Sequence, residues 1–323
     1  MNIRTIFCWL LLASASGWGQ TQLQPFNSFW FSDTNQISSD RMSLLTSTLP
    51  AWLNARVFDG FVYRVLPPTF EDPQPVITLI NSLNGTLNGK VIAATLSVGT
   101  VGWESSNNSN FANKQQGCTY DATKAESEQQ WLQSIGTLQE NAWAWIDGNT
   151  ASMPTPAEAA TSASTFVNTV KAQGNKAVIW LSAQAIGPQL PMLQAICAAT
   201  KDSADYFGWM DIPSVIALNA LGHNPTSAQE GEMSPAMLAQ LSQTLDAILA
   251  LTPLEKTYIQ WINGPNSPTE DVAGTTAYIA GCQAKGINNF VLLANVNELQ
   301  QSPWQGFYMS LAKRPRGRRS RRP

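Results

Sequence analysis

The chain has 323 residues, 44% of them hydrophobic, with one histidine and four cysteines. That excludes a histidine-rich metal centre and a dense disulfide framework. The formal net charge is −3, but seven basic residues crowd into positions 313–323 and Arg4 stands near the start, leaving 11 basic against 22 acidic residues across 21–312.

The first segment reads as an address. Arg4 precedes an apolar run, IFCWLLLASAS, then small residues and a polar QTQ. This predicts a secretory signal peptide over 1–20, cut near Gly19 or Gln20, its run shorter than the ~20 residues a bilayer span needs. No later segment is long and apolar enough for a membrane helix. The expected destination is the periplasm, the cell surface or the medium. Cys8 leaves with the leader. Cys118, Cys197 and Cys282 then allow at most one disulfide, and the last two read as small buried hydrophobes.

From residue 27 onward, short apolar runs alternate with helical stretches. The predicted strands are 27–33 (NSFWFSD), 60–65 (GFVYRV), 90–98 (KVIAATLSV), 142–147 (AWAWID), 176–183 (KAVIWLSA), 206–211 (YFGWMD), 256–262 (KTYIQWI) and 289–296 (NFVLLANV). Helices are predicted over 38–54, 154–174, 234–251 and 268–286, with Ser, Asp or Pro start signals and Gly stops. Strand–helix alternation demands parallel strands with crossover helices. Eight units predict an α/β fold, a single (β/α)8 TIM barrel over 21–312, with long loops after strands 3 and 6 (99–122 and 212–233). An open doubly wound sheet is the alternative, but no Gly-x-Gly-x-x-Gly turn follows the first strand. The tail, KRPRGRRSRRP, has seven like charges and no apolar residue, and is expected to be a disordered appendage over 313–323. It could contact an anionic surface; no specific nucleic-acid partner is expected.

Barrel enzymes work at the C-terminal ends of their strands. The only histidine, His223, has no Gly-x-Ser-x-Gly nucleophile to serve and reads as a plain loop residue. Carboxylates, amides and tryptophans remain. Asp33, Asp147 and Asp211 end strands 1, 4 and 6, Glu104 follows strand 3, Asn263 follows strand 7, and Asn295 stands at the end of strand 8. Trp30, Trp103, Trp145, Trp180, Trp209 and Trp261 share these neighbourhoods. Flat indoles stack on the C–H faces of sugars, amides bond their hydroxyls, and two carboxylates suffice for glycosidic cleavage without metal or cofactor. A low-charge body rich in amides suits a neutral substrate. Asp147 before Gly148-Asn149, and Asp211 before Ile212-Pro213, fit turns or caps equally well. What favours the site is a repeat: Trp145 and Asp147 share strand parity, as do Trp209 and Asp211. Asp59 precedes a strand and belongs to the opposite face.

The layout resembles the exported (β/α)8 glycoside hydrolases, nearest in style to the α-galactosidase-like retaining α-glycosidases. There the nucleophile Asp ends strand 4 and the acid/base Asp ends strand 6. The resemblance implies Asp147 as nucleophile and Asp211 as acid/base, with Asp33, Asn263 and Asn295 holding hydroxyls and the tryptophans lining subsites. Families with glutamates ending strands 4 and 7 do not fit, because strand 7 offers Gln260 and Asn263. The chitinase-like Asp-x-x-Asp-x-Asp-x-Glu run is missing from strand 4. Two expectations follow: a glycoside hydrolase acting on a neutral poly- or oligosaccharide, or a non-catalytic cell-surface barrel that binds glycans while its acids cap turns.

Overall fold

The computed structural model describes residues 23, 28–33, 39–64, 78, 82, 85, 91–94, 103–104, 119–120, 140–145, 155–172, 174, 176–263, 265–301 and 303–311. The leader, Asp147 and the basic tail lie outside them.

Eight parallel strands form one sheet: β1 (Ser28–Asp33), β2 (Gly60–Arg64), β3 (Val91–Ala94), β4 (Glu140–Trp145), β5 (Lys176–Ser182), β6 (Tyr206–Met210), β7 (Thr257–Ile262) and β8 (Asn289–Ala294). Their order is β3-β2-β1-β8-β7-β6-β5-β4. The last strand therefore pairs with the first, Ser28 to Asp33 running beside Asn289 to Ala294. The edge strands β3 and β4 approach within 8 Å, Cα to Cα. This is the cyclic neighbour order of a (β/α)8 barrel. Within the predicted loop 99–122, Trp103–Glu104 pairs antiparallel with Thr119–Tyr120.

Helices cover the outside: α1 (Ser39–Asn54), α2 (Pro156–Ala172), α3 (Leu190–Thr200), α4 (Ile212–Leu221), α5 (Pro235–Leu251), α6 (Val272–Ala284) and α7 (Trp304–Ser310). The start signals act as expected. The Ser234 hydroxyl accepts from the Met237 amide at 3.2 Å, and the Asp271 carboxylate accepts from the Gly274 amide at 2.6 Å. One prediction needs correction: residues 212–233 are mostly not loop, since α4 and a helical turn at Ala228–Gly231 occupy them. The sequence of α4, IPSVIALNAL, is apolar almost all round, so it shows no amphipathic stripe; Ile212, Pro213, Val215, Ile216 and Ala217 are all buried. Gly222, at φ 80°, ends the helix in the left-handed conformation that glycine adopts without strain.

Strand alternation sorts two cores. Phe29, Phe31, Ile179, Leu181, Phe207, Trp209, Ile259, Trp261, Phe290 and Leu292 face the helices and pack with Leu45, Leu49, Phe166, Val170 and Leu241. The opposite set points into the barrel: Val178, Trp180, Met210 and Val291, joined by Trp30, Tyr206 and Tyr258. Trp180 stands beside Gly208 in register, and its indole lies where a Gly208 side chain would be. Among the described residues, the side of the interior lined by β1 and β5–β8 is thus filled by side chains.

Candidate functional site at the C-terminal rim

Ser182 ends β5 in the inward-pointing set of Val178 and Trp180, with no exposed surface. Asp211 follows β6 directly. Its backbone is left-handed, φ 63° and ψ 11°, at the N-cap position of α4, yet its carboxylate makes no capping bond. The Ser182 hydroxyl donates to Asp211 Oδ2 instead, at 2.7 Å. Ser182 Oγ in turn accepts from the Gln184 amide at 3.2 Å, which starts the short helical turn Ala183–Ala185. The cap expected as the alternative for Asp211 is therefore not what its carboxylate does; it turns toward an inward residue of the neighbouring strand.

Farther round the rim, Asn295 follows β8. Its Oδ1 accepts from Arg41 Nη2 at 2.8 Å and from the Asn297 amide at 3.0 Å. The side chain thus caps the turn Val296–Gln300 and fixes an arginine from the first turn of α1. Asn263 follows β7, and its Nδ2 donates to the Tyr308 hydroxyl of α7 at 3.1 Å. Asn263 Oδ1 is buried without a partner among the described residues. Burial raises the Tyr308 hydroxyl well above the usual tyrosine range; the Asn263 bond works against that rise and the Glu298 charge adds to it. Asp33 closes β1 beside Ala294, which puts its backbone at the rim. Beyond α4, the Thr226 backbone amide and hydroxyl bond the exposed Glu230 carboxylate and hold it below its usual range, so that acid serves a turn.

The tryptophans divide. Trp209 is fully buried in the helix-facing core, its indole N–H donating to the Thr252 hydroxyl at 3.2 Å. Trp261 is 1% exposed, stacked on Phe29 at 5.6 Å and edge-on to Phe290 at 5.6 Å. Neither has a face to offer a sugar, and their expected subsite role is corrected: their parity selects the outer side of the barrel. Trp180 lies inside as part of the filling, 5% exposed. Trp30 also points inward, partly buried, with its indole N–H bonded to the Ser28 hydroxyl. Trp145 ends β4 opposite Leu181, and Trp103 and Glu104 lie in the antiparallel pair after β3. Asp59 stands at the other end of the barrel, as expected, its carboxylate accepting from the Phe29 amide at 2.7 Å.

Sequence reasoning missed Ser182 and Arg41. The signal for Ser182 is in the sequence: it is the third member of the period-2 series Val178, Trp180, Ser182 at the end of β5. For Arg41, a lone cation in the first turn of a helix, the sequence holds no comparable signal.

No family model matches the sequence, and no curated protein matches it. Solved structures do. The glycoside hydrolase domain of PgaB (BpsB) from Bordetella bronchiseptica superimposes with a TM-score of 0.57 at 9% identity, over 90% of this chain and 100% of that one. A GH18 chitinase from Pseudoalteromonas aurantia does so at 0.50 and 8%, over 87% and 99%. The YdjI aldolase from Escherichia coli K12 gives 0.46 and 9%, over 89% and 86%. At these identities the likeness defines the fold, a (β/α)8 barrel whose similar structures include glycoside hydrolases; a barrel hosts many chemistries.

Proposed function

We propose that the protein is an exported glycoside hydrolase that cleaves a neutral poly- or oligosaccharide with Asp147 and Asp211. The observation that carries the reading is Asp211: a non-glycine residue held left-handed at a strand's C-terminal end, its carboxylate directed to Ser182 rather than to the helix it precedes. Such a backbone costs of order 1–3 kcal/mol and recurs at functional sites, where surrounding structure fixes it. Asp147 attacks the anomeric carbon and Asp211 protonates the leaving oxygen, the division of labour in α-galactosidase-like retaining enzymes. Retention requires carboxyls about 5 Å apart, inversion about 6.5–9.5 Å.

The test is reducing-sugar release from a panel of neutral glycans by the chain lacking its leader, against Asp147→Asn and Asp211→Asn. Both variants are expected to fold; Asp211→Asn should lose about 10²–10⁴-fold in turnover, the range for removing a catalytic acid or base, and Asp147→Asn, which removes the nucleophile, at least as much. Full activity in either variant overturns that residue's role. Absence of turnover with glycan retention unchanged in Asp147→Asn points instead to the glycan-binding barrel.

A further inference from the structure

We infer that Gln260 is a substrate-binding residue, its side-chain amide lying at the floor of the barrel mouth and bonding two neighbouring hydroxyls of a neutral sugar. The inference rests on the glycan reading proposed above and names a residue for it. Gln260 stands two residues before the end of β7 and is 3% exposed. Its parity is the inward one: Ile259 and Trp261, on either side, pack with the helices, while Tyr258 belongs to the inner set. On β8 its register partner is Val291, an inner residue. On β6, Trp209 is level with Ile259, so the next residue, Met210, is level with Gln260. Met210 and Val291 share one inner cluster, and Gln260 is the β7 residue between them.

Those neighbours give an amide little to bond: valine has no polar side-chain atom and a thioether is a weak acceptor. Gln260 makes no side-chain hydrogen bond among the described residues. Buried threonines elsewhere do: Thr200 donates to the Ile196 carbonyl at 2.8 Å, Thr257 to Pro253 at 2.7 Å and Thr275 to Thr269 at 3.1 Å. Burying an amide without partners is unfavourable, and an apolar side chain of the same shape would avoid the cost. A glutamine in this layer therefore suits a partner that arrives from outside. The approach lies one pleat above, where Ile262 ends β7 with the same parity, level with Leu293 and 47% exposed. The amide presents one acceptor oxygen and two donor hydrogens side by side. Adjacent sugar hydroxyls, one donating and one accepting, match both; an anion would meet the oxygen and a cation the N–H groups. The inward residues around it, Met210, Ile262, Val291 and Leu293, carry no charge, which agrees with a neutral ring.

The experiment compares wild type with Gln260→Met, a swap that nearly conserves volume, in two readouts. The first is the melting temperature without any saccharide. Gln260→Met should melt at or above wild type, because no hydrogen bond within the protein is lost. A fall of several degrees shows that the amide serves the fold and overturns the inference. The second is affinity for maltohexaose, cellohexaose, xylohexaose and chitohexaose by titration calorimetry, with turnover of each followed in parallel. For each saccharide that wild type binds, Gln260→Met should weaken binding about five- to a hundredfold, the effect of leaving a buried sugar hydroxyl without its partner. Unchanged affinity in Gln260→Met, while Asp211→Asn abolishes turnover, overturns this inference and leaves the catalytic reading standing. Binding that Gln260→Met weakens, without turnover in wild type, supports this inference and defeats the catalytic reading. Wild type that binds none of the four overturns the inference.

Discussion

Replacing Gly208 with alanine tests how the barrel interior supports the rim. A Cβ built on Gly208 would stand 2.5 Å from both Cδ2 and Cζ3 of Trp180. Carbon atoms rest at about 3.5–4.0 Å, so the indole has to lift by about 1 Å. Among the described residues, Val178, Met210 and Val291 pack with it and are 5%, 8% and 4% exposed, so the move disturbs a packed cluster. Overpacking of this kind costs about 1–3 kcal/mol. Removing glycine from a strand interior returns roughly 0.5–1 kcal/mol. The net expectation is a loss of about 1–2 kcal/mol, a fall of roughly 2–8 °C in Tm given ~2–4 °C per kcal/mol for chains approaching this size. Urea unfolding followed by tryptophan fluorescence reads the loss. The companion variant Trp180→Leu is destabilising alone, by about 2–4 kcal/mol, because it empties volume. In the double variant the alanine no longer meets an indole, so the losses should fall short of additivity by about 1 kcal/mol or more. A Gly208→Ala protein as stable as wild type, or strictly additive losses, refutes the packing argument.

Trp209→Phe and Trp261→Phe should each lower stability without changing glycan retention in affinity electrophoresis. Trp209→Phe should be the costlier by about 1 kcal/mol, since it alone surrenders a hydrogen bond, to Thr252; a retention change in either would return it to the list of sugar platforms. Burial pushes the Cys197 thiol up to about 12 and raises Cys282, Tyr278 and Tyr308 above their usual ranges. The folded state keeps protons that the unfolded chain gives up, so stability is complete below the unfolded values. It then falls as pH climbs past about 8.5 for the thiols and about 10 for the tyrosines, by about 1.4 kcal/mol per pH unit per group. Melting scans from pH 8 to 11 should show this decline, and Cys282→Ala a shallower one; a flat profile contradicts the burial of these groups.

The eight strands were legible because each is a run of aromatic and β-branched residues, and the barrel followed from their alternation with helices. The assignment of faces was not. In a sheet covered by helices outside and filled inside, both faces are apolar, so period 2 separates two sets without saying which points inward. In β6 the sets are Tyr206, Gly208, Met210 and Phe207, Trp209. Tryptophan looked like the residue at the mouth, but the inward set is the one with the glycine, because Trp180 of the next strand takes that space. The helix α4 was illegible for a related reason: with almost every position apolar, no stripe distinguishes it from a connecting run.

The pairing of Trp209 with Asp211 by parity therefore led to a rim carboxylate by an argument that fails on its own terms. Had β6 continued extended, Asp211 would have followed Trp209 toward the helices. It reaches Ser182, an inward residue, because the left-handed backbone at Asp211 breaks the alternation there. Aspartate is among the few non-glycine residues enriched in that conformation, and Pro213, one residue into the helix, favours an abrupt helix start. The sequence signal for an acid at the barrel mouth is thus Met-Asp-Ile-Pro at positions 210–213, a strand broken at an aspartate and a helix begun at a proline. The tryptophan two residues earlier is core packing.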